Sequence, residues 1–300
     1  MIREPAVAGA FYPDNPKELQ KMIAGFLAAA NPSATPGRLR ALIVPHAGYV
    51  YSGPVAAFGY KALQMCHSEP GAKNLHGGIK DPSAEFTPSN DGAHDDMKLK
   101  KIILLGPAHK VSFSGAAMSS ATAWATPLGH VKTWQPKNLE APFFEFDSAH
   151  LQEHCLEVQL PFLQYIFALP PARGGIEGGG SFKIFPVVMG DTDPEEVAAG
   201  LEKLLDDETL IIISSDLSHS LPYRQAVQKD KETIGAILNG QMTILETQGE
   251  ACGLMPILTL LHLAKKRNWR GQLLDYRNSG DTFGDKDKVV GYVAVAFIGD

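Results

Sequence analysis

Three times along its 300 residues the chain repeats one pattern: a short apolar run rich in branched side chains stops at a proline, glycine or serine, and a histidine follows. Residues 39–44 meet Pro45 and His46; residues 102–105 meet Gly106, Pro107, Ala108 and His109; residues 210–213 meet Ser214, Ser215 and Asp216, with His219 shortly after. Apolar runs of this length suit strands buried on both faces. Proline has no N–H for a central ladder, so the first strand has to end at Pro45, and Gly48 and Gly53 beyond it permit backbone approaches that a Cβ would block. Such strands belong to an α/β fold, whose ligands bind at the carboxyl ends of the strands. His46 and His109 are thereby predicted at one sheet edge, although His46 alone is equally accounted for as a turn residue.

The segments between these strands read as helices and further strands. Asn15 as N-cap, Pro16 at the first position and Glu18 at capping-box spacing start a helix whose apolar face is Leu19, Met22, Ile23, Phe26 and Leu27. Helices are also predicted over 54–65, over 194–205 behind the cap Asp193, over 229–238, and over an apolar stretch ending at Lys265. Strands are expected over 116–121, 129–134, 182–189, 273–276 and 289–298, with Trp124 and Trp134 as packing residues. A helix opening near Glu153 and running to Phe167 would put His154 and Glu157 on one face, either beside a site or as a surface ion pair. Asp216 can orient His219, which can act as acid or base near neutral pH. Cys252 falls on a glycine-flanked turn ahead of a helix, where free N–H groups favour a thiolate; a small buried apolar cysteine is the other reading.

Composition removes several classes of function. A net charge of −6 without a basic block argues against nucleic-acid and anionic-membrane surfaces. The short run Lys265, Lys266, Arg267 complements a helix dipole. No apolar segment reaches the roughly 18 to 20 residues that span a bilayer, and residues 1–5 lack a signal-peptide core, so a cytoplasmic protein is expected. Cys66, Cys155 and Cys252, odd in number and far apart, do not form a disulfide framework. Residues 66–99 read as a long insertion or mobile loop whose His67, His76 and His94 are expected to be solvated, with metal ligation or a lid role as the other readings. The 170–181 connection, with five glycines, lacks the Gly-Lys-Ser/Thr ending of a phosphate loop. Asp281, Asp285 and Asp287 are too closely spaced for a calcium loop.

Taken together, Ala6-Val7-Ala8-Gly9 with Phe11-Tyr12-Pro13, Pro45-His46-Ala47-Gly48-Tyr49, Leu105-Gly106-Pro107 with His109, Glu153-His154, Ser214-Ser215-Asp216 with His219, and Cys252-Gly253 with Pro256-Ile257 resemble the Memo family, the mediator-of-motility proteins and their prokaryotic relatives. The resemblance covers nearly the whole chain. It implies a single domain over 1–300, with a mixed, largely parallel central sheet flanked by helices, like the class III non-heme iron extradiol dioxygenases. Carried over motif by motif, His46 and His109 would be metal ligands, Cys252 would stand where those dioxygenases have a carboxylate, and His219 where they have the base. Asp216, His154, Glu157 and Tyr49 would border the same pocket. The chain departs from the family's pattern at Lys110, where a second histidine is common, at Gln159, where some members have histidine, and at Leu254, where an arginine is expected.

Two imidazoles and a thiolate suit iron or copper, with zinc less favoured, and three protein ligands leave coordination positions open. The leading expectation is thus a metal-binding, dioxygenase-like redox protein acting on a small molecule or peptide. A thiolate in place of a carboxylate alters the metal potential and weakens ordinary ring cleavage. The grouping of prokaryotic relatives with radical SAM proteins points toward redox chemistry. Two other classes stand beside it: a Cys/His hydrolase with Cys252 as nucleophile, His219 as base and Asp216 as orienter, and a non-enzymatic peptide- or partner-binding protein.

Overall fold

Asn15 starts the first helix through its side chain. Its Oδ1 accepts the N–H groups of Lys17 (3.0 Å) and Glu18 (3.2 Å), and Pro16–Ala29 (α1) follows with Leu19, Ile23 and Leu27 buried. The computed structural model describes residues 1–67, 99–167 and 182–299. The predicted insertion at 66–99 and the glycine-rich connection at 170–181 lie almost wholly outside those residues, as do His76, His94 and the His67 side chain.

Each apolar run becomes a strand of one nine-stranded sheet. Its strands, in chain order, are β1 (Arg38–Val44), β2 (Lys101–Pro107), β3 (Ala116–Met118), β4 (Phe143–Glu145), β5 (Lys183–Met189), β6 (Thr209–Ser214), β7 (His219–Leu221), β8 (Arg270–Asn278) and β9 (Val289–Gly299). The spatial order is β7-β9-β1-β6-β2-β5-β3-β4, and β8 pairs with β9 along the side opposite β1. Strands β1, β6, β2 and β5 are mutually parallel. The sheet is mixed because β9 runs antiparallel to β1, and β3 antiparallel to β5. Val44 lies opposite Ser214, and Pro107 opposite Met189, so the central strands end together at one edge.

Alternate residues of these strands enter two cores. Leu42, Leu104 and Ile212 pack with α1, Tyr49–His67 (α2) and Leu160–Phe167 (α3); Ile43, Leu105 and Ile213 pack with Pro194–Glu202 (α4), Tyr223–Leu238 (α5) and Leu254–Arg267 (α6). The fold is therefore a single α/β domain of three layers, with helices on both faces of the sheet. No helix among the described residues is long and apolar enough to cross a membrane. The basic run at the end of α6 also meets α4, where Lys266 and Arg267 pair with Glu202.

Four local expectations are corrected. Helix α2 begins at Tyr49, not at residue 54, because Gly53 is helical and makes room for Phe26 of α1: a Cβ there would lie 2.5 Å from the ring. Helix α5 begins at Tyr223, six residues before the predicted start. The strand expected over 116–121 stops at Met118. Finally, the helix expected from Glu153 begins only at Leu160, after a single 3-10 turn at Glu157–Gln159. Residues 152–156 form an irregular turn instead, because the Glu153 side chain takes the N–H groups of His154 (2.9 Å) and Cys155 (3.1 Å). Trp124, in a small separate sheet, is buried beneath the Arg3 guanidinium at 4.2 Å.

Candidate metal centre

His46 leaves β1 at the carboxyl edge and is held from three directions. Its N–H donates to Asp216 Oδ1 (2.8 Å), its Nδ1 meets Ser214 Oγ (2.9 Å), and its Nε2 lies 3.2 Å from Cys252 Sγ. Ser214 fixes the tautomer. Its only proton goes to the Cys155 carbonyl (2.6 Å) and its Oγ already accepts from Gln159 Nε2 (2.8 Å), so Nδ1 of His46 is the donor and Nε2 carries the free lone pair. Burial, reinforced by the neighbouring His109 and His154, pushes His46 well below the ordinary histidine pKa, which keeps the ring neutral as a ligand requires.

His109, at the end of β2, is bound twice by one carboxylate: its N–H donates to Glu153 Oε2 (2.7 Å) and its Nδ1 to Oε1 (2.9 Å). Burial alone would raise the Glu153 carboxyl, but the hydrogen bonds from the His109 ring and backbone outweigh it and hold the pKa at about 2. His154 lies beside this pair, its Nδ1 3.2 Å from Glu153 Oε1, with burial bringing its own pKa down to about 4. The three imidazoles converge. Ring centroids are 5.1 Å apart for His46 and His109, 5.4 Å for His46 and His154, and 4.9 Å for His109 and His154, and one nitrogen from each lies within 4.8 Å of the others. His109, Glu153 and Cys155 form a second, overlapping group of the same kind.

Cys252 precedes α6 and is locked to the turn after β6, its N–H donating to the Asp216 carbonyl (3.2 Å) and its Sγ accepting from the Asp216 N–H (3.3 Å). Gly253 allows this approach, since a Cβ there would lie 2.6 Å from Ser215 Cβ. The helix terminus does not by itself make a thiolate. Burial and the Asp216 charge push the thiol up to about 12, against the opposing Asp216 N–H, which favours the protonated thiol over the thiolate. Asp216 is itself buried and pushed up to about 6, opposed chiefly by the His46 N–H.

Of the residues singled out in the sequence, His46, His109, His154, Asp216 and Cys252 come together. His219 is exposed on β7 and is among the groups that oppose the upward shift of the Asp216 carboxyl. Tyr49 donates to the Val158 carbonyl (2.6 Å) and packs on Tyr12 and Phe162. Glu157 is buried against Arg3, Tyr12 and the backbone of Ala6 and Val7, and is engaged there instead of at the imidazoles. Sequence reasoning assigns no role to Glu153, Ser214 or Gln159: Glu153 holds His109 and His154, Ser214 holds His46, and Gln159 in turn supports Ser214. Glu153 stood next to His154 and Ser214 ended a strand, but which histidine each would meet is a matter of long-range folding. A cleft of about 430 Å³ opens beside the centre, lined by His109, Cys252, Lys110, Phe113, Met189 and Leu254 among others.

These features define a class: a three-layer α/β protein with a histidine-rich, cysteine-bordered centre at the carboxyl edge of its sheet. The chain belongs to the Memo family, whose Memo-like protein model matches residues 3–70 and 91–296. It is 35% identical to a MEMO1 family protein of Sulfolobus acidocaldarius, 34% to one of Aquifex aeolicus and 30% to one of Thermoplasma acidophilum, in each case over 99% of both chains.

Proposed function

We propose that this centre binds iron or copper through His46, His109 and Cys252, and that the protein is a dioxygenase-like redox enzyme acting on a small molecule in the adjoining cleft. The observation that carries the reading is the orientation of the donors. His46 and His109 are each tied back at Nδ1, by Ser214 and by Glu153, which leaves Nε2 of each as the nitrogen available to a metal, and Cys252 Sγ sits 3.2 Å from that of His46. Hydrogen bonds of this kind set the tautomer and basicity of metal-bound imidazoles, and a mixed imidazole and thiol set suits iron or copper over magnesium or calcium. Bound there, such a metal supplies one-electron and dioxygen chemistry. The chain's own part is to keep the two Nδ1 protons in place, to release the Cys252 proton when sulfur becomes a ligand, to hold His46 through Asp216, and to offer the exposed His219 as an acid or base.

Elemental analysis of untagged protein purified without oxygen tests this, beside a His46→Ala, Cys252→Ala double variant. Stoichiometric iron or copper in the first and none in the second is expected; no metal in either overturns the proposal. A second reading draws on the contact between Cys252 Sγ and His46 Nε2. It makes Cys252 a nucleophile with His46, in place of His219, as its base. That reading requires an activity that survives chelation and is lost on thiol alkylation.

A further inference from the structure

The proposed ligand set does not account for His154. This ring is not a surface histidine at a helix start: it is part-buried, with Phe11 on one side (centroids 4.8 Å) and His109 stacked on the other (4.9 Å, planes 24° apart). Its backbone N–H is bound by Glu153 Oε1 at 2.9 Å, so the same carboxylate oxygen that faces its Nδ1 also fixes the chain that carries it.

Glu153 thus holds two imidazoles at once. Its Oε1 lies 2.9 Å from Nδ1 of His109 and 3.2 Å from Nδ1 of His154. A carboxylate oxygen only accepts, so it holds the ring proton of His109 and of His154 on the Nδ1 that faces it. In both rings the nitrogen left to bind a metal is then Nε2, across the ring from Glu153. One ring nitrogen of each of His46, His109 and His154 already lies within 4.8 Å of the others. Three nitrogens bound at about 2.0 to 2.1 Å from a common ion sit roughly 3 to 4 Å apart, a small closure from that spacing.

We infer that His154 is a metal ligand, the third imidazole of a three-histidine face to which Cys252 adds sulfur, with Glu153 as the positioning residue that clips His109 and His154 together. This rests on the metal-binding reading above and changes its content. Four protein donors fill the tetrahedral shell that zinc adopts in structural sites, whereas an ion that accepts five or six ligands keeps positions open toward the cleft.

Cobalt(II) serves as the probe, titrated anaerobically into the metal-free protein. X-ray absorption counts the imidazoles, and the near-ultraviolet thiolate-to-cobalt band reports Cys252 independently. The wild type is expected to show three imidazoles and one sulfur. His154→Ala and His154→Phe, the latter keeping a ring against Phe11, should each show two imidazoles with the sulfur band retained. Their cobalt affinity should fall by at least the roughly 10- to 100-fold that loss of an outer partner costs, and Glu153→Gln should fall within that range. Stoichiometric cobalt with two imidazoles in the wild type, and His154→Phe affinity within about twofold of it, overturns the role of His154 and leaves the His46, His109, Cys252 set standing. No stoichiometric cobalt on the wild type overturns both.

Discussion

The Glu157 carboxylate is fully buried and both its oxygens are engaged by the N-terminal segment. Oε2 accepts from Arg3 Nη1 (2.6 Å) and Ala6 N–H (2.7 Å), and Oε1 from Tyr12 Oη (2.6 Å) and Val7 N–H (3.0 Å). Arg3, also buried, continues to the Glu153 carbonyl at 2.6 Å, so the pair sits under the turn that carries His154. A buried pair contributes little net stability compared with apolar residues of the same shape, but removing one partner leaves the other charged and dry. Glu157→Gln should therefore cost about 3 to 5 kcal/mol in urea unfolding, while an Arg3→Met, Glu157→Gln double variant, which keeps an amide oxygen for the donors of the N-terminal segment, recovers part of that loss. Recovery would separate charge desolvation from a simple packing defect; equal losses in both variants would refute the account.

At the scale of elements, the turn at 152–156 ahead of α3 packs against β2 at Gly106. A Cβ at Gly106 would lie 2.6 Å from Cys155 Sγ and 2.7 Å from Leu156 Cδ2, both of them buried. Gly106→Ala should cost about 1 to 3 kcal/mol through overpacking, and should weaken cobalt binding because the 152–156 turn has to move. Unchanged thermal unfolding and metal affinity would contradict this. The central strands were legible in the sequence because burial on both faces writes a local signature: residues 210–213 contain nothing but leucine and isoleucine. The start of α5 was not legible, since its buried stripe includes Ala226, Asp230 and Thr233, which no apolar periodicity reveals. The irregular turn at 152–156 was hidden for a different reason. Glu153 meets His109 across 44 residues, a contact with no local trace, and it takes the backbone donors that helix periodicity assigns elsewhere.

For the molecule as a whole, acid stability is set by imidazoles folded in their neutral form. His150 lies away from the cleft and is 1% exposed, with Nε2 donating to the Ala117 carbonyl (3.1 Å) and Nδ1 without a partner among the described residues. Burial, partly opposed by the Ala117 carbonyl, lowers its pKa from 6.5 to about 4. Below pH 6.5 the unfolded chain takes up a proton that the folded one refuses, so this group's contribution is complete above that value and is lost as pH falls toward 4, on the order of 3 kcal/mol. Denaturant midpoints measured from pH 7 to 4 should fall less steeply for His150→Gln than for the wild type; parallel curves would show that His150 does not titrate this way. The clamp between Arg3 and Glu157 has a consequence in time as well. The two are 154 residues apart, so a ribosome completes Arg3, His46 and His109 long before it reaches the acceptor that fastens the head of the chain. Phe11 docks behind His154 with that head. During synthesis the hollow that gathers the imidazoles has no back wall, and it comes into being only when two distant portions of the new polypeptide have met.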